Sequence, residues 1–158
     1  MLVLRFVLDT HVLDAMIADP TLLDAVNGAV AGGRIKVHVT HVQIDEAMAT
    51  PDEKADKRSA LAQTLANSAA HRSPTCGFII GMSRLDEAMI TGDDFAATYS
   101  AEVAAFPSQG NDAVLIATAW KIGAKFVTED KGARATAGRM GMQCCCTIAE
   151  FRAAATGL

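Results

Sequence analysis

The chain has 158 residues, 51% of them hydrophobic and 20% charged, the make-up of one globular α/β domain able to bury its core without disulfides or structural metal. Its formal net charge of −4 excludes the domain-wide basic field that drives non-specific binding to duplex, so any affinity for phosphate has to be local. No apolar run approaches the roughly 18 residues a membrane span needs, and Asp9 interrupts the first one, so a soluble, cytoplasmic protein without a membrane partner is expected.

Leu4-Arg-Phe-Val-Leu8 reads as a buried strand, and Thr10 as the N-cap of a helix with Val12, Leu13, Met16 and Ile17 on one face. Asp19-Pro20 stops that helix and opens a second, with Pro at its first position and Gly32-Gly33 at its end. Ile35-Lys-Val-His-Val39 is a second strand, and Thr40 with Gln43 makes a capping box for a helix running towards Thr50.

Pro51-Asp52-Glu53 opens a charged helix to about Ala70, its Lys54, Lys57 and Arg58 forming a solvated face. Between His71 and Gln109 the pattern is sparse: Ser73-Pro74 is a loop, Gly77 to Gly81 a short strand, and Asp93 to Ala105 a helix. Pro107 to Gly110 is a loop before a helix over Asp112 to Ile122, ended by Gly123.

The apolar strand Ala124 to Thr128, a helix from Asp130 to about Gly141, and a strand from Gln143 to Ile148 complete the reading. Strands alternating with helices predict a mainly parallel sheet. Cys144, Cys145 and Cys146 fall in the last strand, where alternation should turn Cys145 away from its neighbours. No Cys/His spacing completes a zinc shell, so the cysteines read as buried apolar packing in a reducing compartment.

Asp9, Glu46, Asp112 and Asp130 each stand where a strand ends or a helix begins. In open α/β sheets ligands bind beyond the carboxyl ends of the strands, so all four can converge on one edge. A single Asp after a strand is ordinarily a helix cap; the set of four is what argues for a site. Gathered carboxylates repel one another and raise each other's pKa, and a cluster that stays ionised implies a bound hard cation, Mg²⁺ or Mn²⁺. Asp45 stands beside Glu46, and since adjacent helical residues point about 100° apart, only one of the two should turn inward.

Lys131 and Arg134 follow Asp130 and are either phosphate contacts or ordinary solvated helix residues. His11, His38, His41 and Arg5 fall into no HExxH or triad spacing and receive no catalytic role.

Four local contexts, Phe6-Val-Leu-Asp-Thr10, Val39-Thr-His-Val-Gln-Ile-Asp-Glu46, Asn111-Asp-Ala-Val-Leu-Ile-Ala-Thr-Ala119 and Phe126-Val-Thr-Glu-Asp130, resemble in order and spacing the PIN-domain nucleases, including the toxin ribonucleases of type II toxin–antitoxin systems. The resemblance runs over nearly the whole chain, 1–158, as a single PIN-like domain, although Pro51 to Gln109 contains no matching motif. It implies a three-layer sandwich around a mainly parallel sheet. It further implies Asp9, Glu46, Asp112 and Asp130 as catalytic, metal-binding acids, with Thr10 and Thr128 as supporting hydroxyls.

The activity so implied is metal-dependent hydrolysis of RNA, single-stranded for preference, with a small antitoxin and a homodimer as the partners it suggests. Two other readings stand beside it. One is a non-catalytic scaffold on the same fold, its acids serving as caps. The other is a phosphoryl-transfer enzyme of the phosphatase type with Asp9 as nucleophile, although Thr-His-Val follows Asp9 where such enzymes place a second Asp.

Overall fold

In β1 (Leu4–Leu8) successive side chains point to opposite faces, so the apolar run Phe6-Val7-Leu8 requires cover on both sides of the sheet, and both sides are covered. The computed structural model describes residues 3–76, 84, 86–89 and 93–157. After β1 come α1 (Thr10–Ala18), α2 (Pro20–Ala31), β2 (Ile35–Val39), α3 (His41–Met48) and α4 (Ala55–Asn67). The short strands β3 (His71–Arg72), β4 (Thr75–Cys76) and β5 (Ala88–Met89) precede α5 (Asp93–Ala105) and α6 (Gly110–Lys121). The chain closes with β6 (Lys125–Val127), α7 (Lys131–Arg139), β7 (Cys145–Cys146) and α8 (Ile148–Thr156).

Five strands form one sheet in the order β3-β2-β1-β6-β7, every pair parallel, while β4 and β5 pair separately. Phe6 and Leu8 pack with Val12, Leu13, Met16, Val26 and Phe151, so α1, α2 and α8 cover one face. Val7 and Phe126 pack with Val114, Ile116, Ala133 and Ala137, so α6 and α7 cover the other. That is the expected three-layer sandwich. Fully burying one large apolar side chain is worth about 1.5–3 kcal/mol. The Phe6 and Phe151 rings, 5.0 Å apart and edge to face, therefore fasten α8 to the sheet.

The strands Leu4–Leu8 and Ile35–Val39, the break at Asp19-Pro20, the Thr40–Gln43 capping box and the helix Asp93–Ala105 stand where the sequence puts them. Thr10 is not a cap: Asp9 caps α1, accepting from the His11 backbone N–H, and Thr10 is the first helical residue. Pro107–Gln109 forms a turn of 3-10 helix that runs straight into α6, two residues ahead of the expected start. Gly123 stops α6 at φ +64°, a left-handed conformation that favours glycine.

The expected strand over Gln143 to Ile148 shortens to two residues, because Thr147 and Glu150 form a capping box that opens α8. Alternation consequently separates only Cys145 from Cys146, and Cys144 and Cys145 pack against the same side of the sheet. The strands β3, β4 and β5 have no counterpart in the sequence reading, and the expected strand at Gly77 to Gly81 lies outside the described residues. Among the described residues no helix is long and apolar enough to cross a membrane.

Candidate acidic site at the carboxyl edge of the sheet

Strand order turns at β1, which has β2 on one side and β6 on the other. The crevice beyond that turn is where an open parallel sheet receives a ligand. Asp9 follows β1, Asp130 caps α7 just after β6, and Asp112 sits in the first turn of α6, where a helix N-terminus favours negative charge. Glu46 comes from the second turn of α3. The fully buried Gln43 side chain ties that helix to the edge, donating to the Leu8 carbonyl at 2.7 Å while accepting from the Thr40 backbone N–H and hydroxyl.

Asp9, Glu46 and Asp130 are each held by their own donors. Asp9 is only 6% exposed, accepts from the buried Thr128 hydroxyl at 2.6 Å through Oδ2, and accepts from the His11 N–H at 3.4 Å through Oδ1. Glu46 accepts from the Thr10 hydroxyl through Oε2 and from the Asn111 side-chain amide at 2.6 Å through Oε1. Asp130 Oδ1 accepts from the Gly132 N–H at 2.5 Å, and the Asp130 N–H donates to Thr128 Oγ1 at 3.0 Å. Thr128 thus touches both Asp9 and Asp130.

The other three acids all bear on Asp112 electrostatically. Burial raises the Asp112 carboxyl from 3.8 to about 6, and Asp9, Asp130 and Glu46 add to the rise in that order. The choice between neighbours on α3 is resolved: Asp45 is exposed and paired with Arg84, whereas Glu46 faces Thr10, Asn111 and the shared acidic space. Thr10 and Thr128 therefore both lie against site carboxylates, although only Thr128 is fully buried.

Lys131, the first residue of α7, is exposed. Arg134 is partly committed, donating to the Thr128 carbonyl at 2.7 Å and lying 3.7 Å from Glu129. Asn111 was not singled out by the sequence; the signal available was a short amide one residue before the Asp in the first turn of an apolar helix. The exposed His11 ring lies 3.5 Å from Asp9 Oδ1 and slightly offsets the acidic field at Asp112.

The ligand set is carboxylate with flanking hydroxyl oxygen, which fits a hard divalent cation better than a thiolate-seeking one. Among the described residues no three His, Cys, Asp or Glu side chains close into a ready-made cage. An ion that keeps several of its own waters, as Mg²⁺ does, needs no such cage.

No protein-family model matches the chain, and no curated protein matches it in sequence. Among solved structures it is similar to PAE2754 from Pyrobaculum aerophilum, with a TM-score of 0.58 and 16% identity over 98% of this chain and 91% of that one. It is also similar to a chain of VapBC2 from Rickettsia felis, solved bound to a DNA fragment from its promoter, with a TM-score of 0.52 and 12% identity over 91% of this chain and 98% of that one. These likenesses, together with the parallel three-layer architecture, bear out the expected PIN-like fold.

Proposed function

We propose that the chain is a metal-dependent endoribonuclease whose site is formed by Asp9, Glu46, Asp112 and Asp130. The observation that carries this reading is the placement of Asp9, Asp112 and Asp130 at element ends along the carboxyl edge of a parallel sheet, with Glu46 held by Asn111 beside Asp112. Such a concentration of like charge costs stability and is best accounted for by a cation that offsets it.

Mg²⁺ or Mn²⁺ is the cofactor that suits these residues, with Asp9, Glu46, Asp112 and Asp130 as its holders. When bound, the ion supplies Lewis-acid stabilisation of charge on a phosphodiester. The protein supplies orientation: Thr128 and the His11 N–H aim Asp9, and Thr10 and Asn111 aim Glu46. Asp112, whose carboxyl is pushed up by burial and by the other acids, is a group whose charge a bound cation would offset.

Single-stranded RNA is the preferred substrate, since a flexible backbone reaches an acidic edge more readily than one locked in an A-form duplex. Exposed Lys131 is the phosphate contact this reading favours, with Arg134 secondary because of its bonds to Thr128 and Glu129. A small antitoxin covering the acidic edge, and a homodimer, are the partners that accompany this reading. The phosphatase alternative is disfavoured because both Asp9 oxygens already accept hydrogen bonds, which suits a held ligand better than a nucleophile.

The test is cleavage of a mixed-sequence single-stranded RNA by the purified chain with Mn²⁺, with Mn²⁺ plus EDTA, and by Asp112→Asn with Mn²⁺. Cleavage by the wild type alone, lost in both controls, is expected. A folded wild type that neither cleaves nor binds Mn²⁺ saturably would instead support the scaffold reading.

A further inference from the structure

Away from the acidic edge, β1, β2 and β3 bring basic side chains together. Arg5 pairs with Lys36 in the β1–β2 register, and His38 pairs with His71 in the β2–β3 register. Residues paired across a parallel ladder share a face, and so do Lys36 and His38, two apart on one strand. All four therefore stand on one face of the sheet, while Phe6 and Val37, paired one position further on, pack into the core on the other. A recess of about 300 Å³ has Arg5, Lys36 and His71 in its walls.

His38 stands between two of those wall residues, Lys36 on its own strand and His71 across the ladder, with the two imidazole rings 6.1 Å apart. The residue is only 9% exposed. Its Nδ1 lies 2.7 Å from the Ser73 hydroxyl, whereas the buried Nε2 has no hydrogen-bond partner. Buried polar nitrogens are nearly always satisfied, so an orphaned one needs a bound group or a water to complete it.

The surrounding charge decides between them. Burial first, then Lys36, His71 and Arg5, hold the His38 imidazole down at about 4, and among the described residues no carboxylate counters them. None of the four basic side chains is ion-paired with an Asp or Glu among the described residues. Arg5 Nη1 donates to the Ile122 carbonyl at 2.9 Å, which anchors the guanidinium and leaves its other N–H groups for a ligand. Donors and positive charge without a counter-charge favour an oxyanion over water.

We propose that Arg5, Lys36, His38 and His71 form a binding site for a small oxyanion of the phosphate class. The Ser73 hydroxyl donates to His38 Nδ1, so the ring hydrogen sits on Nε2 and donates to one oxygen of the anion. Lys36 meets the anion as a point charge and Arg5 as a fork. His71, exposed at the recess, adds a second imidazole. The site uses none of the four acids and needs no metal, so it goes beyond the nuclease reading.

The experiment titrates inorganic phosphate into the full chain in EDTA, at neutral pH and constant ionic strength, by calorimetry, and follows the imidazole resonances of the four histidines by NMR. One saturable site is expected, with the His38 resonance moving as it fills. Lys36→Gln, at a half-exposed position, should weaken binding about tenfold, and His71→Gln should weaken it less. Lys54→Gln removes the same charge from an exposed position outside the recess and should leave binding as it was. The absence of saturable binding, equal losses in Lys36→Gln and Lys54→Gln, or a His38 resonance unmoved at saturation would overturn the proposal. With EDTA present and binding as the readout, the result does not depend on whether the chain cleaves RNA.

Discussion

The hydroxyl of Thr128 donates to Asp9 Oδ2 at 2.6 Å, joining residues 119 positions apart at the ends of adjacent parallel strands. Both are buried, and the Thr128 oxygen also receives the Asp130 N–H at 3.0 Å. A hydrogen bond to a charged group contributes about 1.5–3 kcal/mol, and its loss leaves the carboxylate undersatisfied. Thr128→Val, which keeps the shape and removes the donor, is expected to destabilise the fold by about that amount in urea unfolding. It should also lower metal-dependent cleavage, because Asp9 is no longer aimed; unchanged stability and cleavage would remove Thr128 from the site.

Asp112→Asn should separate function from stability. The wild-type carboxyl titrates near 6, above the 3.8 of an unperturbed Asp, so its stabilising contribution is complete below about 4 and is lost as pH rises through 6. Since Asp112 remains partly exposed, screening reduces the cost at neutral pH to about 1 kcal/mol. Without divalent metal, the variant should therefore melt above the wild type at pH 7.5, with the difference closing towards pH 4. Adding Mn²⁺ should reverse the order at pH 7.5 by stabilising the wild type alone. A variant less stable than the wild type at every pH in EDTA would contradict this account.

Asn111 acts on Glu46 from the far end of the site, donating at 2.6 Å to the oxygen that Thr10 does not engage. Residues that orient a metal-holding carboxylate typically contribute 10- to 100-fold in affinity, roughly, when they are lost. Asn111→Ala is expected to weaken Mn²⁺ binding measured calorimetrically by about tenfold, with little change in melting temperature because the side chain is exposed.

Gly132 is limited by space. A Cβ there would lie 3.0 Å from Asp130 Oδ1, the atom that the Gly132 N–H now binds. Gly132→Ala should push the Asp130 carboxylate aside and reduce cleavage several-fold while the helix itself is retained, which circular dichroism would verify. Equal activity would place Asp130 outside the working part of the site.

Elements with punctuated ends were readable directly. Asp19-Pro20 both closes α1 and caps α2, and the Thr40–Gln43 pair marks the start of α3 without any tertiary information. The two-residue strands β3, β4 and β5 were not readable, because a strand that short has no period to detect and exists through its partners. The helix α8 was lost to a different cause: the apolar residues before Thr147 extended a strand reading across a capping box that was itself visible. The places of Asp9, Asp112 and Asp130 at element ends were legible from the local pattern, whereas Glu46 lies inside α3. Asn111 was not found, since its role depends on meeting Glu46, 65 positions away.

Local patterning alone accounts for the alternation of strands and helices and for the delivery of Asp9, Asp112 and Asp130 to element termini, because periodicity and capping act over a few residues. Strand order is a different matter. Only the folded sheet sets β1 between β2 and β6, turns Glu46 inward while Asp45 pairs with Arg84, and raises the Asp112 carboxyl towards 6. These outcomes depend on distances between charges and donors far apart in the chain, and a carboxylate's proton affinity follows those distances and the surrounding dielectric rather than its neighbours in sequence.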